Sequence, residues 1–390
     1  MADLKKRNSN FELLRILAML MIIAFHMFNY CFYVQLTDED SIMLMGNGVF
    51  CNLQFYRRLL LLAMVSPLGK VGNAVFLLIS GYFLVSRGSQ INLIKITKKL
   101  LLQLGFSVLV LVVVSGCVYR AVDGSVYGVS IYPLDISMFN KSDWFVGYYL
   151  GVIVIAALFL NRWLGQLEQK KYLTFLLVIF ALVEIAWTGE MVESLATGLR
   201  ILATGVFLYA LGGYISLYRP FERVRGWVLV LIILVAFLLI FQSFYQITMR
   251  RIDEYVQASL NTDPEDLGPF VQQIPIYKDY SILPILMGVS LFELFRRIRM
   301  PSSSVINFMG AATFMIYLLH DNNFVRSLWK RYDWITLLYD QPGHFLLKYS
   351  MWVIGIFLIG MLLYGLYALL CKLLPRCIGI VLKRESDYNK

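Results

Sequence analysis

NFELLRILAMLMIIAFHMFNYCFY, residues 10–33, is the stretch that decides the fold of this chain. It is apolar over more than the roughly 20 residues that a helix needs to cross a bilayer. It nevertheless carries Glu12, Arg15 and His26. Ionisable side chains inside a membrane are costly and usually mark a working site. The stretch therefore predicts both a spanning helix and a functional centre.

Arg15 and His26 are predicted to share one face of this helix. They are eleven residues apart, and eleven steps of about 100° return to within about 20° of the starting direction. At about 1.5 Å per residue, they are separated by roughly 16 Å along the axis. Arg15 is therefore expected near the N-terminal mouth and His26 beyond mid-depth. The same stripe contains Met19, Ile22, Asn29 and Tyr30.

Purely structural roles are the alternative for both residues. Arg15 can extend to the lipid headgroups while it pairs with Glu12 at the i,i+3 spacing. His26 can form a hydrogen bond to a neighbouring helix. Their position on one stripe favours a site.

Composition restricts the chain to the integral membrane proteins. Its 390 residues are 59% hydrophobic and 15% charged, and the mean hydropathy is +0.68. A soluble domain holds about 25% charged residues, so we expect a single membrane domain over residues 1–390. The net charge of +10 lies in short basic clusters between apolar runs, which is typical of membrane topology and does not favour nucleic-acid binding. The scattered Cys and His residues predict neither a metal site nor a disulfide framework.

Hydropathy predicts an all-α polytopic protein with about ten transmembrane helices. The second span is the weakest, and the apolar piece 59–65 before it is expected to form an interfacial or re-entrant turn. The predicted spans are 12–33, 72–86, 100–119, 144–160, 172–188, 199–218, 227–245, 280–295, 304–320 and 346–371.

The distribution of Lys and Arg predicts the orientation. When the N-terminus is placed in the cytoplasm, the short basic connections fall inside and the long connections fall outside. Both termini are then cytoplasmic. The outer connections are 34–71, 121–143, 246–279 and 321–345, and long loops on one face commonly bind ligands.

Four sequence motifs follow one another in order along the chain. They are spread over most of the chain and are fairly specific together. The first is Glu12-x-x-Arg15 followed by His26. The others are VGNAVFLLISGYFLV at 71–85, DWFVGYYLG at 143–151 and TFMIYLLHDN at 313–322. Together the four motifs resemble the membrane acyltransferase-3 family, and the last is closest to members that acetylate polysaccharides in Gram-positive bacteria.

The resemblance implies transfer of an acetyl group from cytoplasmic acetyl-CoA to a hydroxyl of an extracytoplasmic polysaccharide or lipid-linked glycan. It implies a multi-pass protein of the bacterial cytoplasmic membrane, with acetyl-CoA as the acyl donor and no permanently bound cofactor. Donor and acceptor would then meet within the bilayer, which suits a stripe that leads from Arg15 to His26.

Acyl transfer from a thioester to an alcohol needs a base beside the attacking hydroxyl. Burial favours the neutral imidazole, so His26 is the expected base in a direct attack. An acetyl-histidine intermediate is the second route. Arg15 offers a forked donor to a phosphate or to the thioester region, and Glu12 is expected to hold it in place.

The remaining candidates are binding residues, each with a structural alternative. Lys95, Lys98 and Lys99 replace an arginine pair that the family often carries, and they either bind CoA phosphates or supply plain positive-inside charge. Ser80 is more typical of close helix packing than of catalysis, and aromatic side chains can line a sugar site or form an interfacial belt. The cluster at 320–322 is expected to bind sugar hydroxyls, to orient His26 or to cap a helix. The further binding candidates are Ser80, Tyr82, Trp144, His320, Asp321 and Asn322.

Two other classes of function remain open from the sequence. A transporter or flippase for a surface-glycan component would use the same intramembrane charges as a relay or a substrate path. Inverted repeats would support that interpretation, and we find none in the sequence. A non-catalytic partner in polysaccharide assembly would need neither CoA nor His26.

Overall fold

The computed structural model describes residues 7–36, 53–121, 144–184, 199–259 and 282–388. In these ranges the regular structure is helical throughout, which confirms the predicted all-α class. The helices are α1 (Ser9–Met27), α2 (Leu53–Ala63), α3 (Ser66–Leu84), α4 (Leu93–Ala121), α5 (Trp144–Ile155), α6 (Gln169–Glu184), α7 (Leu199–Tyr218), α8 (Gly226–Ser259), α9 (Ile282–Arg297), α10 (Ser304–His320), α11 (Asn323–Lys330), α12 (Trp334–Asp340) and α13 (Pro342–Tyr388).

Three of these helices continue into tighter or wider turns. A π-helical segment, Phe28–Phe32, and a last α-turn, Tyr33–Leu36, extend α1. A 3₁₀ segment, Val85–Gln90, follows α3. A second π-helical segment, Ala156–Leu160, joins α5 to the turn Asn161–Leu164.

Every predicted span overlaps a helix in the described residues, and positions 185–188 and 280–281 of these spans lie outside them. The number of membrane crossings is a separate question. Seven helical stretches of the described residues are long and apolar enough to cross a bilayer. Within the described residues, helices α6, α9 and α10 cover 16, 16 and 17 residues and are not among these stretches. The count of about ten crossings therefore stays a prediction. The seven stretches are Ser9–Gln35, Arg57–Arg87, Leu93–Cys117, Phe145–Leu164, Leu199–Tyr218, Gly226–Arg250 and Pro342–Leu373.

Two expected irregular regions are helical instead. The apolar piece 59–65 is largely the C-terminal half of α2, and α3 follows it after one short turn. The connection 321–345, which the sequence predicts to be a long loop, contains α11, α12 and the start of α13. Trp329 and Trp334 of this connection are fully buried. The burial of these large apolar side chains offsets the conformational entropy that the chain loses when the segment becomes ordered.

Helix α3 lies at the centre of the bundle, with α1, α7 and α9 packed around it. Its run of small residues allows close approach, because a methyl group at Gly72 would collide with Ala18 and Ile22 of α1. At the other end, Tyr82 packs its ring on Phe11 with 5.3 Å between the centroids. Since Gly72 meets the middle of α1 and Tyr82 meets its start, α1 and α3 are antiparallel.

Candidate active site

The two membrane histidines, predicted separately, lie side by side. His26 is on α1 and His320 is the last residue of α10, and 2.7 Å separates His26 Nδ1 from His320 Nε2. His26 is 6% exposed and His320 is fully buried. The packing of α1 against α10 brings them together, since 294 residues separate them in the chain.

A backbone carbonyl fixes the tautomers of this pair. His320 Nδ1 lies 3.1 Å from the carbonyl oxygen of Ile316, and because a carbonyl only accepts, Nδ1–H must donate. In the neutral ring His320 Nε2 then accepts, and His26 Nδ1–H is its donor. The hydrogen-bond network therefore assigns the lone pair of His26 to Nε2.

Asp321 and Arg326 form an ion pair behind His26, in which Asp321 is fully buried and Arg326 is partly buried. An Arg326 guanidinium nitrogen donates to Asp321 Oδ1. The other carboxylate oxygen, Oδ2, lies 3.7 Å from His26 Nδ1 and accepts no hydrogen bond from the described residues. The guanidinium carbon also lies 3.5 Å from the centre of the Tyr30 ring, a distance at which a cation is attracted to the π face.

The π-helical segment after His26 holds Tyr30 within this cluster. Phe28–Phe32 widens the end of α1, and the ring centres of His26 and Tyr30 are 5.6 Å apart. Such segments occur frequently at functional sites. The sequence placed Tyr30 on the stripe of Arg15 and His26, but it did not single out Arg326, which resembles the other basic residues of the connection 321–345.

Arg15 and Glu12 pair at the opposite end of α1, as the i,i+3 spacing predicts. Arg15 Nη1 donates to Glu12 Oε1 at 2.5 Å, and Arg7 reaches the same oxygen at 3.2 Å. Glu12 is buried where Gly310 of α10 leaves room for its side chain. Lys99 of α4 lies within electrostatic range of all three charges. The Arg15 end of α1 therefore carries more positive than negative charge.

The other predicted binding residues fall at three different places. Ser80 donates to the carbonyl of Phe76 at 2.8 Å and lies 3.0 Å from the Tyr149 hydroxyl, so it links α3 to α5 in addition to packing. Tyr82 joins an aromatic cluster with Phe11, Phe83 and Phe292. It lies at the Arg15 end of the bundle. Lys95, Lys98 and Lys99 are exposed near the start of α4, and Trp144 begins α5.

Asn322 is occupied by the turn between α10 and α11. Its amide donates to the carbonyl of Leu319 at 2.7 Å and accepts from the amide of Val325 at 3.0 Å. The cluster at 320–322 thus divides its roles. His320 contacts His26, Asp321 pairs with Arg326, and Asn322 caps a helix.

The described part of the chain contains no group of three or more His, Cys, Asp or Glu residues arranged to hold a metal ion. Its site chemistry comes from a buried imidazole whose lone pair lies on Nε2, a carboxylate beside it and a basic cluster near the start of the same helix. That set can accept a proton from a hydroxyl and stabilise the imidazolium that results.

Comparison with known proteins assigns the family. The family model for the acyltransferase domain matches residues 8–371. No curated protein and no solved structure matches the chain. The match spans both ends of the site, from Glu12, Arg15 and His26 on α1 to His320 and Asp321 after α10. This chain is therefore a membrane acyltransferase that belongs to the acyltransferase-3 family.

Proposed function

We propose that the protein transfers an acetyl group from cytoplasmic acetyl-CoA to a hydroxyl of an extracytoplasmic polysaccharide or lipid-linked glycan. The observation that carries the proposal is the hydrogen-bonded line from the Ile316 carbonyl through His320 to His26. It leaves His26 Nε2 as an oriented base at the end of a membrane helix. The membership in an acyltransferase family favours this reaction over transport.

In the proposed reaction His26 Nε2 removes the proton of the acceptor hydroxyl. The hydroxyl oxygen attacks the thioester carbonyl carbon, a C–O bond forms, and the C–S bond breaks. The imidazolium then returns the proton to the departing thiolate, which gives free CoA and the acetyl ester. Atoms and charge balance without a metal or a redox partner, and general base catalysis of this kind contributes about 10²–10⁴-fold.

His320 and Asp321 serve His26 at different stages. His320 holds the neutral ring in the tautomer that exposes Nε2. The Asp321 carboxylate faces the ring from 3.7 Å and stabilises the positive charge once His26 is protonated. Arg326 anchors Asp321 at that position. These are positioning roles, since neither His320 nor Asp321 needs to touch the substrate.

The donor is proposed to enter at the Arg15 end. Arg7, Arg15 and Lys99 surround the single carboxylate of Glu12, and the surplus of positive charge suits the phosphates of CoA. The Arg15 guanidinium can bind a phosphate through two parallel hydrogen bonds. Glu12 keeps that fork in one orientation, which lowers the entropy cost of binding.

Ligand-induced stabilisation of the purified protein tests the donor. Acetyl-CoA at a hundredfold excess over its Kd should stabilise the fold by about 2.7 kcal/mol. Arg15→Lys keeps the charge but loses the planar fork, so it should weaken the stabilisation. Arg223→Lys, at an exposed arginine outside the site, is the control and should behave as the wild type. A wild-type protein that acetyl-CoA does not stabilise would contradict the proposed donor.

A further inference from the structure

Two buried amides, one level with the Arg15 end and one between that end and the histidines, have no hydrogen bond to the described residues. Asn73 of α3 is 7% exposed and Gln103 of α4 is 1% exposed. The side-chain oxygens of both are buried without a partner. Leaving a buried acceptor unsatisfied is costly, and a native protein keeps such groups where something else binds them.

Asn73 lies at a depth between Arg15 and His26. Helix α3 is antiparallel to α1. Gly69, four residues before Asn73, faces Phe25, and Gly72 faces Ala18 and Ile22. Asn73 is therefore level with the middle of α1, below the histidine and above the arginine.

The face of Asn73 is also the face of Ser80. Seven residues along a helix return to within about 20° of the same direction, and Ser80 points toward Tyr149 of α5. Lys70, one turn before Asn73, lies within electrostatic range of His26. The polar positions of α3 thus follow the line from the Arg15 end to His26.

Gln103 is placed by its neighbour Lys99. Residues four apart lie on one face of a helix, and Lys99 acts electrostatically on Arg15 and Glu12. Gln103 is one turn further along α4, which is about 6 Å. Phe106 of α4 packs on Tyr367 of α13, and the nearby Tyr364 packs on Phe308, close to where Gly310 meets Glu12. Gln103 is therefore level with the Arg15 end of α1, and Asn73 lies deeper, nearer the histidines.

We propose that Asn73 and Gln103 bind the amide groups of the pantetheine arm of the acyl donor. A side-chain amide offers one acceptor and two N–H donors, which complement the N–H and C=O of an amide in the ligand. A donor held by its phosphates near Arg15 must extend this arm past mid-depth to present the thioester to His26. The inference rests on the proposed CoA donor and adds the residues that guide its arm.

The competing role for a membrane amide is a hydrogen bond between helices. Such an amide would have a partner on a neighbouring helix. Neither Asn73 nor Gln103 has one among the described residues. Removing either amide should therefore leave the unliganded protein as stable as before, because no hydrogen bond to the described residues is lost.

The test compares two ligands on purified variants. Asn73→Leu and Gln103→Met keep similar bulk but remove the amide. Thr248→Val is the matched control, since Thr248 of α8 is also buried with an unpartnered oxygen. Acetyl-CoA carries the arm, and adenosine 3′,5′-bisphosphate carries the nucleotide phosphates without it. The Kd of each ligand is obtained from thermal stabilisation at increasing ligand concentration.

We expect each amide variant to bind acetyl-CoA about 2–10-fold more weakly, the effect of one lost neutral hydrogen bond. Binding of adenosine 3′,5′-bisphosphate should stay at the wild-type level, and Thr248→Val should bind both ligands as the wild type does. Wild-type affinity for acetyl-CoA in both amide variants would overturn the inference. So would a loss of unliganded stability in both, because it would show structural hydrogen bonds. A wild-type protein that binds neither ligand would instead refute the proposed donor.

Discussion

At the residue scale, the sequence identified His26 but left the role of His320 open among three. A stripe on one helix is a local property, so the position of His26 relative to Arg15 follows from the helix repeat alone. The contact with His320 depends on how α1 packs against α10, and no local pattern contains that information. The 2.7 Å separation of the two rings favours the orienting role over sugar binding or a simple cap.

The ion pairs also divide into one that is set by local spacing and one that depends on the packing of the chain. Glu12 and Arg15 are three residues apart, and their ion pair was predictable from that spacing. The pair of Asp321 and Arg326 spans the turn between two helices. Arg326 was missed because its basic side chain matched the neighbouring positive charges, and its ion pair with Asp321 and the Tyr30 ring beneath it distinguish it in the structure.

At the element scale, long apolar runs in the sequence predicted helices correctly, whereas the short helices between them were not predicted. The apolar run that forms α10 ends at Asp321. The eight residues of α11 are too few to show a clear helical period in the sequence, so they could not be distinguished from a polar loop. Their burial depends on packing that involves Trp329 and Trp334. The widened π-helical turn after His26 likewise has no sequence signature of its own.

Close packing of α3 on α7 predicts a sharp asymmetry between two glycines. A methyl group at Gly212 would collide with the backbone of Leu78, whereas one at Gly355 of α13 meets nothing within 4 Å. Gly212→Ala should therefore lower the free energy of unfolding by about 1–3 kcal/mol through overpacking. Gly355→Ala should leave it unchanged or raise it slightly, because alanine favours the helix. Thermal unfolding in detergent measures both, and equal effects would contradict the tight contact.

At the scale of the whole molecule, the family model covers residues 8–371 and thus nearly the entire chain. This agrees with the expected single domain over 1–390, which stays a prediction. The orientation also stays a prediction, since length and composition alone define the seven candidate spans. It follows from the density of Lys and Arg on the short connections, a physical bias that acts during insertion and leaves no mark on the packed helices.

Cysteine labelling in intact cells measures the orientation. Both termini and the segment after α3 are predicted in the bacterial cytoplasm. An impermeant reagent should modify a cysteine introduced at Ser125 or Asn261, which lie outside the described residues, and should spare one at Ser89. The native cysteines must first be replaced so that background labelling is low. Labelling at Ser89 with protection at Asn261 would invert the topology and place the His26 end toward the cytoplasm.

The central claim is that His26 is the base, and O-acetylation of the surface glycan in cells tests it most directly. His26→Gln keeps similar bulk and hydrogen-bonding capacity but cannot accept a proton as imidazole does, so it should lose about 10²–10⁴-fold of the transfer rate. His320→Gln supplies the comparison. Its side-chain oxygen can still accept from His26 Nδ1–H, and it should cost less. Mass spectrometry of the glycan, with membrane abundance checked for each variant, gives the readout. Wild-type acetylation by a well-expressed His26→Gln variant would contradict the mechanism and leave His26 as a helix-packing residue.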